Sequence, residues 1–154
     1  MGEMICGMSV FEVVEGDGYA VGHIDAMGDG YGFRKVRREL DVSAFGVNAL
    51  VMPPRYAATA HSHERQQEIY FVHQGEVEIE FGDGSRHLLG PGAVARVDAP
   101  TVRCVRNLSS ADAVLLIAGG SDGYVGRDGR PPDREWTAPT ARSTPERTHT
   151  DRGG

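Results

Sequence analysis

Residues 61–75 read HSHERQQEIYFVHQG. His61 and His63 stand one residue apart, Glu68 follows five residues after the second histidine, and Gly75 closes the segment. On a strand, residues i and i+2 share a face and lie roughly 6.6 Å apart along the chain. Both imidazoles can then aim at one point while Ser62 points away. Residues 64–67 make a hairpin-length turn, which starts the next strand at Glu68, near His63. Two imidazoles and one carboxylate converging from adjacent strands form a face that suits Fe(II) with coordination positions left open. The same three ligands with a water satisfy a catalytic zinc, and manganese and nickel stay open as alternatives. The bland reading is a polar hairpin with surface histidines. The fixed offsets of Glu68 and Gly75 weigh against it.

If Glu68 faces inward, alternation sends Tyr70 and Val72 inward and turns His73 outward. Tyr70 can then hydrogen-bond a ligand or simply pack the interior. Gln66 and Gln67 lie in the turn and receive no role.

The elements that must hold these residues are strands. AFGVNALVM ends at Pro53-Pro54, YAATAHSH ends in ERQQ, and EIYFVHQ runs into Gly75. EVEIEF alternates before the GDG turn at residues 82–84, and RHLL, AVARV, TVRCVRN and AVLLIAG follow. Short strands spaced about 8–12 residues apart and parted by Gly, Pro and Asp indicate an all-β sandwich or barrel. No helical pattern separates them, which argues against a βαβ fold. Three regions result: an N-terminal extension over 1–41 with an edge strand or short helix in FRKVRREL, a barrel over 42–119, and a segment over 120–154. Within the last, DGYVGRDG is expected to dock through Tyr124 and Val125, and the Gly-, Pro-, Arg- and Thr-rich remainder reads as a mobile polar tail containing Trp136.

HSHERQQEIYFVHQG resembles the first motif of the cupin superfamily: His-x-His, a short spacer, Glu, six residues, Gly. The glycine that leads that motif is replaced by Arg55. The second motif is similar to GAVARVDAPTVRCVRN, where Gly92 and Asn107 match and Arg103 stands at the place of a fourth ligand, a histidine. The resemblance implies a jelly-roll β-barrel (a double-stranded β-helix), a homodimer, and a divalent metal held by His61, His63 and Glu68. Arginine has no acceptor and cannot ligate a cation. Arg103 is therefore expected either to pair with Glu68 in a metal-free pocket or to sit beside the metal and grip an anionic substrate with Tyr70. His23 and His87 are conceivable replacement ligands.

Composition narrows the rest. The chain of 154 residues carries a formal net charge of −6, which argues against a nucleic-acid partner. Its basic cluster of Arg34, Lys35, Arg37 and Arg38 reads as a solvated face. Cys6 and Cys104 are too few for a disulfide framework, and no run of about 18 apolar residues marks a membrane span. A cytoplasmic protein follows as the expectation. The leading functional reading is a metal-dependent enzyme on a small organic, anionic substrate, with dioxygenase, isomerase or cyclase chemistry. The alternative is a non-catalytic binding or sensing barrel.

Overall fold

A computed structural model describes residues 9–133. Cys6, Trp136 and the tail from residue 134 lie outside the described residues. The chain runs through β1 (Val14–Gly16), β2 (Tyr19–Val21), a 3-10 turn (Ile24–Ala26), β3 (Gly32–Arg34) and α1 (Val36–Glu39). Then follow β4 (Gly46–Met52), β5 (Tyr56–Ala57), β6 (Ser62–His63), β7 (Gln67–Gln74), β8 (Val77–Phe81) and β9 (Arg86–Leu89). The last elements are β10 (Val94–Val97), β11 (Arg103–Asn107), β12 (Ala113–Gly120) and β13 (Gly129–Arg130). FRKVRREL divides between both expected forms, its first residues pairing as β3 and the rest coiling as α1.

Two antiparallel sheets face each other. One has the strand order β10-β7-β12-β4-β3 and the other β5-β11-β8-β9. From β4 to β12 the chain repeatedly crosses between sheets, and only the β8–β9 hairpin stays within one. This is the double-stranded β-helix expected from the sequence. Strand alternation decides which side chains meet between the sheets. In β7, Glu68, Tyr70 and Val72 are buried while Ile69, Phe71 and His73 point outward. Leu50, Met52, Val72, Val77, Ile79 and Leu115 join Tyr70 in the main core. Burying aliphatic side chains of this kind contributes roughly 1.5–3 kcal/mol each.

The N-terminal segment does more than extend an edge. β3 pairs with β4, and Val36 of α1 packs over Val47 and Ala49 on the outer side of the sheet, with Ile24, Met27 and Leu40 around it. β4 is thereby covered on both faces. The basic cluster is correspondingly not the uniform solvated face that its charge suggested. Arg34 is buried and donates to the Gly30 carbonyl, and Arg37 lies 3.9 Å from the centre of the Tyr124 ring. Lys35 and Arg38 match the expectation of exposed side chains, Lys35 over the Phe33 ring and Arg38 paired with Glu39.

Two positions of the first motif carry left-handed backbone. Gly75 has φ of +76°, and a Cβ there would meet the Asp112 carbonyl oxygen at 2.5 Å. Arg55, at the place of the motif's leading glycine, has φ of +59°. A left-handed conformation costs a side-chain-bearing residue about 1–2 kcal/mol. Gly75→Ala should therefore lower stability by at least about 2 kcal/mol, because strain and backbone contact act together. Arg55→Gly should hold or raise the thermal midpoint, since relief of strain offsets the added freedom of the unfolded chain. Chemical and thermal denaturation of both variants checks the opposite signs.

Candidate metal centre

The expected hairpin between His63 and Glu68 does not form. β6 pairs with β13, while β7 pairs with β10 and β12. The backbone of His61 instead bridges Arg103 at the start of β11, with its N–H donating to the Arg103 carbonyl at 3.0 Å. The histidines thus approach from the side of the β11 sheet and Glu68 from the opposing sheet. Residue alternation still does its part, because both rings turn to one side and Ser62 pairs with Arg130.

The three side chains meet. One potential ligand atom from each of His61, His63 and Glu68 lies within 4.8 Å of the others. The rings of His61 and His63 stand edge-on with centroids 5.1 Å apart. His61 Nδ1 lies 3.0 Å from the Thr59 carbonyl, which fixes the proton on Nδ1 and leaves Nε2 as the free lone pair. His63 Nε2 is 3.2 Å from Glu68 Oε1. Burial pushes His61 below its ordinary value, opposed by the Thr59 carbonyl. A neutral ring is the form a cation requires.

Glu68 divides its two oxygens between two tasks. Oε1 faces His63, whereas Oε2 accepts from the Tyr70 hydroxyl at 2.7 Å and from the Arg103 guanidinium. Burial alone would raise the carboxyl, but hydrogen bonds from His63, Tyr70 and Arg103 outweigh it and hold the group at about 2. Burial, and then the charge of Glu68, pushes the Tyr70 phenol up, so it stays protonated and donates.

Arg103 enters the interior, as its strand position implied, but not as an anion grip. It is 0% exposed and absent from the cavity wall. Its Nε donates to the Tyr70 hydroxyl at 3.1 Å, and its remaining contacts are Glu68 and the carbonyls of Thr101 and Ala99. The guanidinium backs the carboxylate and does not face the cavity. Tyr70 lines the cavity, with its hydroxyl committed to the same carboxylate. His23 caps the 3-10 turn and His87 lies exposed against Phe81, so neither joins the group.

These donors border a cavity of about 330 Å³. Leu50, Val105, Ile117 and Phe33 supply apolar wall, and Asn48, Thr59 and Gln66 supply polar groups. Several participants carry no recognisable sequence signal. Gln66 places its amide nitrogen 3.0 Å from His63 Nδ1. Asp128, 5% exposed, accepts from the backbone N–H groups of Arg65 and Gln66 at 3.0 and 2.8 Å, pinning the turn between the ligands. A Cβ on Gly119 would lie 2.9 Å from Glu68 Cγ, so a glycine there makes room for the carboxylate. The Gly-Gly pair at 119–120 was the one available hint. Tyr124 and Val125 of DGYVGRDG, residues 122–129, lie in the cavity wall.

A double-stranded β-helix with two histidines and a glutamate gathered beside its cavity defines a recognisable class. Residues 49–119, just under half of the chain, match the family model described as a cupin domain, and this segment resembles the cupin superfamily. A sugar phosphate isomerase of that superfamily from Silicibacter pomeroyi is 28% identical, with a TM-score of 0.54. That alignment covers 62% of this chain and 61% of the other, so the chain spans about three fifths of its relative's length. A cupin protein from Bacteroides fragilis, 22% identical over 62% of this chain and 79% of its own, shares the fold with a TM-score of 0.54. No curated protein matches the sequence. No helix among the described residues is long and apolar enough to cross a membrane.

Removing one partner of a buried ion pair leaves an uncompensated charge. Arg103→Met should destabilise the metal-free protein by about 3–5 kcal/mol. Arg103→Met combined with Glu68→Gln should cost much less than the two single changes added, a coupling that denaturant titration of the cycle measures. The acid limb carries the same signature. A folded value of about 2 against an ordinary 4.5 means that Glu68 stabilises fully above 4.5 and loses that contribution as pH falls through about 2. Glu68→Gln should flatten the rise of unfolding free energy across this window.

Proposed function

We propose that the protein is a metal-dependent enzyme acting on a small organic molecule, with His61, His63 and Glu68 holding a divalent cation. The carrying observation is the convergence of their three donor atoms within 4.8 Å on the wall of a largely apolar cavity. The donor set fits such an ion: two imidazoles, one oriented through Nδ1, and one carboxylate oxygen turned toward them. Fe(II) is the first candidate for a face with open positions, and zinc, manganese and nickel suit the same donors. When bound, the ion would polarise a substrate oxygen placed beside the protein ligands.

The chain's own residues prepare that step. Thr59 orients His61, Tyr70 and Arg103 keep Glu68 ionised and immobile, and the apolar wall limits water. Isomerisation gains support from the likeness to the Silicibacter pomeroyi sugar phosphate isomerase. Oxygenation and cyclisation are the other chemistries such a centre accommodates. The exposed Ile69, Phe71 and Leu116 on the outer face of one sheet support a homodimer.

One observation favours a second reading. Arg103 already neutralises Glu68, so the pocket is electrostatically complete without an ion and would serve a metal-free binding or sensing barrel. Elemental analysis of protein purified without an affinity tag separates the two. The enzyme reading expects one divalent ion per chain, retained on dialysis and lost in Glu68→Gln. Metal-free wild-type protein that also fails to take up Fe(II), Zn(II), Mn(II) or Ni(II) would sink it in favour of the second.

A further inference from the structure

Building on the small-molecule site proposed above, we propose that Arg127, on the C-terminal segment, anchors a carboxylate or phosphate group of the molecule that fills the cavity. With Arg103 turned to the back of Glu68, Arg127 is the one arginine or lysine among the described residues that lines the cavity. Its guanidinium forms no ion pair or hydrogen bond with other described residues. The neighbouring Asp128 does not neutralise it, because that carboxylate is buried and accepts from the Arg65 and Gln66 amides. Arg130 provides the contrast: it is ion-paired with Glu64 at 2.8 Å and is not part of the wall.

The segment that carries Arg127 is held on both sides. Tyr124 lies against Arg37, Gly129 pairs with His63, and the Asp128 carbonyl accepts from the Glu64 N–H at 3.2 Å. Between these anchors Arg127 adopts a φ of +52°, a conformation costly for a side-chain-bearing residue. Among the described residues, an unpaired guanidinium is thus carried on a tethered segment two residues from the partner of His63. A guanidinium grips planar carboxylates and phosphates through paired N–H donors. The same cavity wall includes Leu50, Val105 and Ile117. The ligand class that fits is a small molecule with a short apolar body, an acidic group at Arg127 and an oxygen at the His61–His63–Glu68 end.

Binding of butanoate and monobutyl phosphate, each compared with butan-1-ol, tests this by ligand-detected NMR on the full chain. The wild type should prefer at least one of the acids to the alcohol. Arg127→Gln should reduce that preference roughly ten- to a hundredfold, as expected for loss of a charged hydrogen-bonding partner. Arg127→Lys should keep part of it, and Arg130→Gln should keep it whole. The two acids distinguish a carboxylate from a phosphate as the preferred group. Equal binding of acids and alcohol by the wild type, or an acid preference that survives in Arg127→Gln, would overturn the proposal. Metal uptake measured on the same samples keeps the two readings apart. Acid preference through Arg127 in a protein that takes up no metal would defeat the enzyme reading alone, and metal uptake without acid preference would defeat this one alone.

Discussion

The carboxylate of Glu68 is shared between two neighbourhoods, and the rest of the site follows from that division. A buried carboxylate is expensive unless its oxygens are satisfied. Here one oxygen takes the Tyr70 hydroxyl and the Arg103 guanidinium, and the other is left toward His63. In this arrangement an arginine at the place of a metal-ligating histidine would leave the proposed cation site open. Arg103 acts on the far side of the carboxylate and so does not compete for the oxygen that faces the imidazoles. It also keeps Glu68 ionised, which is the state that a cation requires.

The same constraint sets what surrounds the carboxylate. Gly119 lies opposite Glu68 in the β7–β12 register and leaves space that any side chain would fill. Arg103 is fixed in turn by the carbonyls of Thr101 and Ala99 and by its backbone pairing with His61. One residue therefore positions two of the three donors, His61 through the backbone and Glu68 through the side chain. A polar network of this kind, satisfied at each member, rigidifies a site that lies between two sheets.

The segment matched by the family model supplies the donors but not the whole cavity. Phe33 from the N-terminal segment and Tyr124, Val125, Arg127 and Asp128 from the C-terminal one complete the wall. Arg37 against Tyr124 brings the two flanks together over the barrel. Ligand selectivity is therefore expected to reside in the flanks, and the chemistry in the barrel. This division allows one scaffold to serve different molecules by changing only its ends.

The sequence by itself determined the strand content, the double-stranded β-helix, the inward set Glu68, Tyr70 and Val72, and the identity of His61, His63 and Glu68 as a converging group. The strand content, the inward set and the converging group follow from period-2 alternation and a short motif, both local properties of the chain, whereas the double-stranded β-helix came from the resemblance of two motifs to the cupin superfamily. Tertiary structure alone decided how the donors meet. The expected hairpin is absent, and the histidines reach Glu68 across the gap between sheets because the chain changes sheet between β5 and β7. It alone decided that Arg103 stands behind Glu68, since a strand position gives the side of the sheet but not the direction a long side chain takes. Asp128 and Arg127 were equally hidden, because the contact between residues 127–129 and the turn at 64–66 joins segments more than sixty residues apart, a separation no local pattern records.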